Sequence, residues 1–301
     1  MGLEENSYRL HEKSFAHSNI EKELLVYKNW FDSNTTDVWR HKRMLSVLNP
    51  FLNNDPAAKW LTVGDGRFGT SAIYINRYGG KATATDLDLS LLDVAKKNGM
   101  LTDIAYANAE KLPFENDTFD YSYCKQAYHH FPRPIIAVYE MLRISSKAII
   151  YTEPHDFVPT LFTRTLLQKI KHGIKKITGA PVPHHDTGNF ESAGNYVYSI
   201  SVREFEKIAL GIGLPCMAFK RFDDIYLQGV EKEVFSERAP LYKKIKSKLI
   251  SGRIKTLLGV GYPNTVQMIL FKKIPDTHIE KELKLDGYTI IHFPKNPYLQ
   301  L

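Results

Sequence analysis

Cysteine is almost missing from these 301 residues: only Cys124 and Cys216 occur. That excludes a disulfide framework and fits a reducing compartment. Cys124 lies in the strand-like FDYSYCKQA and reads most simply as a small core residue, with a reactive thiol as the alternative. Long apolar runs are also missing, and none approaches the roughly 18 residues needed to cross a bilayer. The opening residues, MGLEENSYRL, are charged and have no apolar signal-peptide core. Asn6 stands where an N-myristoylation signal would want Ser or Thr. A cytoplasmic location is therefore expected. No internal repeat or low-complexity tract is found. Acidic residues are the minority charge, 33 against 40 Lys and Arg, for a net charge of +7. The excess favours an anionic partner (a phosphorylated substrate, nucleic acid or an acidic membrane surface) without choosing one.

What is present is an ordinary globular composition, 43% hydrophobic and 24% charged, long enough for one large domain or a core with additions. Residues 1 to 56 read as a helical cap, with apolar residues at helical spacing in YKNWFDSNTTDVWRHKRMLSVLNPFL around a break at Ser33–Thr36. From Lys59 strands and helices alternate. KWLTVG, KATATD, DIAYANA, FDYSYC and KAIIYTEP read as strands, and SAIYINRYG, LSLLDVAKKNG and PIIAVYEMLRI as helices, Gly99 ending the second. This rhythm predicts an α/β fold, a mostly parallel Rossmann-like sheet with helices on both faces. Residues 57–156 form the expected core, 157–275 its remainder with substrate-side insertions, and 276–301 an extension holding a strand and tail. Within 157–275, SVREFEKIALGIGL reads as a helix with Ser201 as N-cap and Glu204 completing a capping box. PCMAFKRFDD and TVQMILFKKI read as two late strands.

WLTVGDGRFG places Gly64, Gly66 and Gly69 directly between a strand and a helix. Glycine there lets the chain turn tightly and a ligand approach the backbone, while the helix N-terminus offers unpaired N–H groups. Asp86 ends the next strand, where a carboxylate can accept from both hydroxyls of an adenosine ribose. Taken alone, the spacing matches the dinucleotide fingerprint and would suit a nicotinamide or flavin enzyme; a purely structural turn is the plainer alternative.

The stretch ANAEKLPFENDTFDYSYCKQAYHHFPRPIIAVYEMLRI decides between them. It resembles the class I methyltransferases related to the quinone-methylating and small-molecule-methylating enzymes. In that family an Asn-Ala-Glu-x-Leu-Pro-Phe segment closes over the adenine, here Asn108 to Phe114. A Phe-Asp strand follows (Phe119, Asp120), then a loop with histidines and proline (His129, His130, Pro132), then a helix carrying Glu140, Leu142 and Arg143. The resemblance covers roughly Lys59 to Pro154 and implies S-adenosyl-L-methionine as cofactor. It places Gly64, Asp65, Gly66, Gly69, Asp86, Leu87, Asn108, Ala109 and Lys125 at the donor, with Gln126 beside Lys125. Three departures stand out. Phe68 replaces the third glycine of the family's usual G-x-G-x-G. Thr62 stands where an acid commonly orders the loop or engages the methionine amino group. Ser145 and Ser146 replace the usual glycine turn after the Leu-Arg helix. The loop, the HHFPRP segment and the long C-terminal part also resemble methyltransferases encoded with bacterial surface-polysaccharide enzymes.

A hydroxyl acceptor needs help losing its proton, and histidine suits this near neutral pH. His130, His129 and Glu153 are the catalytic candidates, His130 slightly ahead. All follow strands at the sheet edge where ligands of open α/β folds bind. Against this, one histidine could simply pack and the other be exposed. Glu153 could orient an imidazole or a substrate hydroxyl, or merely cap a neighbouring backbone. His155 and Asp156 share the edge. His184, His185 and Asp186 invite a metal reading but lack the spacing of a known site, so no metal is expected. Trp39, Arg40 and His41 are expected to cover the donor, unless Trp39 is simply a core anchor.

O-methylation of a small polar acceptor, such as a sugar or a phosphorylated or lipid-linked glycan precursor, is the leading expectation. N-methylation of a small metabolite and a nicotinamide-dependent oxidoreductase are the alternatives. A nucleic-acid partner is not expected, because KQAYHHFP replaces the Asn/Asp-Pro-Pro-aromatic motif that base-methylating enzymes carry after strand four. Two basic segments read as amphipathic helices bordering the acceptor site, with peripheral contact to an anionic membrane as a further expectation. TLFTRTLLQKIKHGIKKI puts Phe162, Leu166, Ile170, Ile174 and Ile177 on one face. LYKKIKSKLISGRIKTLL does the same with Leu241, Ile245, Leu249, Ile254 and Leu257.

Overall fold

Among the described residues, two helices precede the sheet, α1 (Thr36–Leu45) and α2 (Asn49–Asn54), with one 3-10 turn between them at Ser46–Leu48. The computed structural model describes residues 33–156 and 196–295, together with Tyr8 and Pro297. Thr35, inside the expected break, caps α1: its hydroxyl accepts from Val38 N at 3.3 Å. The basic segment around Phe162–Ile177 and the His184–His185–Asp186 triplet lie outside the described residues.

The alternating stretch then follows the expected order: β1 (Lys59–Val63), α3 (Thr70–Arg77), β2 (Lys81–Asp86), α4 (Ser90–Lys97), β3 (Asp103–Tyr106), β4 (Phe119–Lys125), α5 (Pro134–Ile144) and β5 (Ser145–Pro154). Helix α5 passes straight into β5. Ser145 donates to or accepts from the Ser122 hydroxyl at 2.9 Å and Ser146 donates to Asp120 Oδ1 at 3.3 Å, so the two serines tie the junction to β4. Beyond residue 195 come α6 (Val202–Gly211), β6 (Cys216–Phe222), α7 (Pro240–Leu257), β7 (Thr265–Phe271), α8 (Thr277–Leu285) and β8 (Thr289–His292). The Ser201 hydroxyl accepts from Glu204 N at 3.1 Å, as the capping sequence predicts.

The strands form one sheet in the order β3-β2-β1-β4-β5-β7-β6-β8. β1 to β5 are parallel, whereas β7 runs antiparallel to both neighbours and β8 antiparallel to β6. Side chains alternate between two apolar layers, the consequence of a two-residue period covered on both faces. Trp60, Tyr123 and Ile150 face one layer with residues of α2, α3, α4 and α8. Leu61, Cys124 and Ile149 face the other, with α5 and α6. The α/β expectation holds.

Two expectations are corrected. The C-terminal stretch contains a helix as well as its strand: α8, capped by Asp276, whose carboxylate accepts from His278 N at 2.8 Å. Helix α7 does not bury a single stripe. Ile245 is buried and Leu241 and Leu249 are half-buried, but Ile254 and Leu257 are exposed. The step of five residues from Leu249 to Ile254 turns the helix about 140° and carries the second pair to another side.

Distant parts are joined by buried polar groups. The carbonyl of Met44, in the last turn of α1, accepts from Gln267 Nε2 at 2.7 Å, Tyr123 Oη at 3.3 Å and Thr152 Oγ1 at 3.4 Å. A helix-end carbonyl that lacks an intrahelical partner is thereby satisfied from three neighbouring strands. Glu233 links α1 to α7: it accepts from the Thr36 hydroxyl at 2.6 Å and from Leu241 N and Tyr242 N at 2.7 and 2.9 Å.

Gln267→Ala should lower stability by about 2–3 kcal/mol, because Met44 O and the Tyr288 hydroxyl, which donates to Gln267 Oε1 at 2.6 Å, both lose a buried partner. Urea unfolding measures this; an unchanged midpoint would show that water or a neighbour replaces the amide.

Candidate active site

Because β1 to β5 are parallel, their C-terminal ends meet on one edge, and the loops there define the site. Gly64 opens the β1–α3 loop, and a Cβ on it would lie 2.5 Å from Ala127 Cβ. Gly66 brings its backbone against Asp86: its N–H donates to Asp86 Oδ2 at 2.9 Å, and an added Cβ would fall 2.5 Å from that oxygen. Asp88 N donates to Asp86 Oδ1 at 3.0 Å. Burial raises the Asp86 pKa. Each carboxylate oxygen still has acceptor capacity for one ribose hydroxyl. Leu87, half-buried, follows directly.

The departures in this loop have physical explanations. Phe68 adopts the left-handed backbone, φ 59°, that glycine would take without strain. Its fully buried ring offsets a penalty of about 1–2 kcal/mol. Asp65, expected at the donor, turns its carboxylate into the start of α3, accepting from Ala72 N at 2.9 Å and Ser71 N at 3.2 Å. The N-cap residue of α3 is Gly69, which has no side chain to cap with, so Asp65 does this from four residues upstream. With Thr62 in the place of the usual acid, Asp65 is the carboxylate that orders the loop.

Across the cleft, Asn108 Oδ1 accepts from Glu110 N at 2.8 Å and from the Tyr8 hydroxyl at 3.4 Å. Burial and the nearby Glu110 carboxylate push Tyr8 up to about 12. Ala109 is buried beside them. Charged residues in and around α5 fasten this segment. Glu110 accepts from Arg133 N and Nε at 2.6 and 2.7 Å, and Glu140 accepts from Leu112 N at 2.8 Å. Arg143 donates to Leu112 O and Phe114 O at 2.9 and 2.7 Å.

At the end of β4, Glu153 of β5 is the organising group. It is wholly buried, and its Oε1 accepts from Ala127 N at 2.9 Å and Tyr128 N at 3.1 Å. Its Oε2 lies 2.8 Å from His129 Nδ1. Glu153 therefore both caps the backbone and orients an imidazole, the two roles posed as alternatives. The histidine it holds is His129; the His130 ring lies beside that ring, centroids 4.0 Å apart and planes tilted by 43°. His155 is committed elsewhere: Nδ1 lies 3.1 Å from Pro263 O, and Nε2 accepts from Arg221 Nε at 3.3 Å. Cys124, buried with its thiol pKa pushed well up by burial, fits the inert core reading.

Lys125 ends β4 half-buried, and among the described residues its ammonium has no hydrogen bond or ion pair. Burial pushes its pKa down, against the attraction of Asp65. Above it lies α1. Arg40 Nε donates to Asp224 Oδ1 at 2.8 Å, and Arg43 Nη2 donates to Asp223 O at 3.0 Å. His41 is held well below its usual pKa by burial, with Lys125, Arg40 and Arg67 adding to the effect. Arg40 and His41 thus lie close to Lys125. Trp39 stands aside, packed edge-on against Tyr242 and stacked with Phe235. The sequence did not single out Asp223 and Asp224; their only signal was their place at the end of β6.

Residues 61–148 match the family model described as a methyltransferase domain. Solved structures similar to the chain include S-adenosylmethionine-dependent methyltransferases of Thermotoga maritima (15% identity, 89% of this chain and 100% of that one, TM-score 0.48) and Archaeoglobus fulgidus (12%, 82% and 99%, 0.48). A phosphoethanolamine N-methyltransferase of Haemonchus contortus, solved with S-adenosylhomocysteine, is similar at 15% identity, over 77% of this chain and 52% of that one, TM-score 0.44. Likenesses this distant carry no argument about the acceptor. Comparison with curated proteins finds no match. The chain carries a class I methyltransferase domain, and its cofactor is S-adenosylmethionine. The nicotinamide reading of the glycine pattern gives way to this assignment. The residues present fit the cofactor: a backbone cradle that a Cβ at Gly66 would fill, and a carboxylate fixed beside it by two N–H groups.

Asp86→Ala should leave the protein folded and weaken binding of S-adenosylmethionine by about 1.5–3 kcal/mol, the scale of charge-assisted hydrogen bonds. Titration calorimetry reads this directly, and near-normal affinity would mean that another residue holds the ribose.

Proposed function

We propose that this methyltransferase transfers a methyl group to a hydroxyl of a small polar acceptor, a sugar or glycan precursor, with His129 as general base and Glu153 as the residue that positions it. The carrying observation is the 2.8 Å contact between Glu153 Oε2 and His129 Nδ1, made by a carboxylate whose other oxygen is pinned by two backbone N–H groups. S-adenosylmethionine supplies a methyl group already activated by its sulfonium. The protein's tasks are then to hold the acceptor in line and to remove its proton. With Nδ1 committed to Glu153, the proton moves to Nε2, and the buried carboxylate stabilises the imidazolium that results. Lys125, the half-buried ammonium without an ion pair, is proposed to hold an anionic group of the donor or of a phosphorylated or lipid-linked acceptor. Asn108, Ala109 and the Gly64–Gly69 loop are proposed to enclose the adenosine.

A panel of sugars, sugar phosphates and lipid-linked sugars, assayed by label transfer from S-adenosylmethionine, identifies the acceptor. On that acceptor His129→Ala should lower turnover by about 10²–10⁴-fold while donor affinity stays unchanged. Glu153→Gln should lower turnover less and shift its pH profile, whereas His130→Ala should be mild. If every histidine variant kept its rate, no base would be required, and N-methylation of a small metabolite would become the better assignment.

A further inference from the structure

Helix α7 carries two apolar stripes on opposite sides. Tyr242, Ile245 and Leu249 face the protein, where Tyr242 packs edge-on against Trp39 and Phe235. Ile254 stands nine residues beyond Ile245, about two and a half turns, and so points the other way. Around it Ile250, Leu257 and Leu258 complete an i, i+4, i+7, i+8 stripe, with exposures of 54% for Ile250, 51% for Ile254, 79% for Leu257 and 71% for Leu258. Folding does not require this second stripe. Lys246 and Arg253 flank it on one side and Lys244 and Lys255 on the other, while Lys243 and Lys248 extend the charge; all six are exposed. No acidic residue occurs in Pro240–Leu257, and none of these cations has an ion-pair partner among the described residues.

We infer that the outer face of α7 is a docking surface for an anionic lipid bilayer, lying in the interface plane. The four apolar side chains enter the acyl boundary while the flanking lysines and arginine reach the headgroup phosphates. Charge complementarity selects this occupant, because an apolar stripe bordered only by cations matches a surface that is itself apolar below and anionic above. No helix among the described residues is long and apolar enough to span a membrane, so contact is peripheral. The placement also serves the site. At Gly252 the inner side of α7 rests on the loop after β6, an added Cβ lying 2.5 Å from Asp223 Oδ2. That loop carries Asp224, which holds Arg40 near Lys125, and the Asp223 carbonyl, which accepts from Arg43. Docking through α7 would bring the lipid surface beside the roof of the site.

Sedimentation of the full chain with phosphatidylglycerol–phosphatidylcholine vesicles, against phosphatidylcholine alone, tests this without any methyl transfer. Binding should require phosphatidylglycerol and weaken as salt is raised. Leu257→Glu with Leu258→Glu, and separately Lys246→Glu with Arg253→Glu, should each reduce it by at least about tenfold, since one cation near such a surface is worth about fivefold. Lys81→Glu with Lys97→Glu makes the same charge change elsewhere and should have little effect. Calorimetry with S-adenosylmethionine confirms that each variant is folded. Negligible or equal binding to both vesicles overturns the inference, as does an equal loss in the Lys81/Lys97 control. Self-association abolished by the leucine variants, without vesicle binding, would make a second copy the occupant and also overturn it.

Discussion

A buried carboxylate on a central strand organises this edge of the sheet. Glu153 has no access to solvent, so its hydrogen bonds must come from the protein, and the turn after β4 supplies them. In satisfying itself the carboxylate sets the path of the backbone from Lys125 to Tyr128 and the orientation of the His129 ring. The position of Glu153 is in turn set by β5, held between β4 and β7 by hydrogen-bonded ladders on both sides. An error of one residue in that register would turn the carboxylate to the opposite face of the sheet. The site is thus as rigid as the middle of the sheet, which is what aligning two reactants demands.

The roof is built differently. Helix α1 and the chain from Asp223 to Tyr242 are far apart in sequence, and polar contacts join them: Glu233 with Thr36, Asp224 with Arg40, and Asp223 with Arg43. Here positive and negative groups are matched. Lys125 below and the six cations along α7 are not. The excess of positive charge in the composition is therefore not spread evenly; part of it collects where the roof meets solvent.

Much of the core could be read directly. The glycine loop, Asp86 at a strand end and the alternation from Lys59 to Pro154 each depend on local rules: backbone freedom, strand period and helix capping. The structure has them where those rules put them. The Asn108–Phe114 segment was legible through resemblance, and charged residues fasten it: Glu110 pairs with Arg133, and Glu140 and Arg143 of α5 bond its backbone. Other features were less legible. Gly69 cannot cap α3, and the carboxylate of Asp65, which sits among the glycines, takes that part. Helix α8 was missed because its capping aspartate was overlooked.

The sequence by itself determined the α/β order and the glycine loop, because these rest on short-range geometry repeated along the chain, and through its family resemblance the kind of group transferred. Which histidine meets Glu153 was undecided among neighbours one residue apart, since the answer turns on where a carboxylate from another strand falls. The two-sided character of α7 was hidden for a related reason. Its apolar residues lie on opposite sides of one helix, and only packing against Trp39 and Phe235 determines which side is the inside.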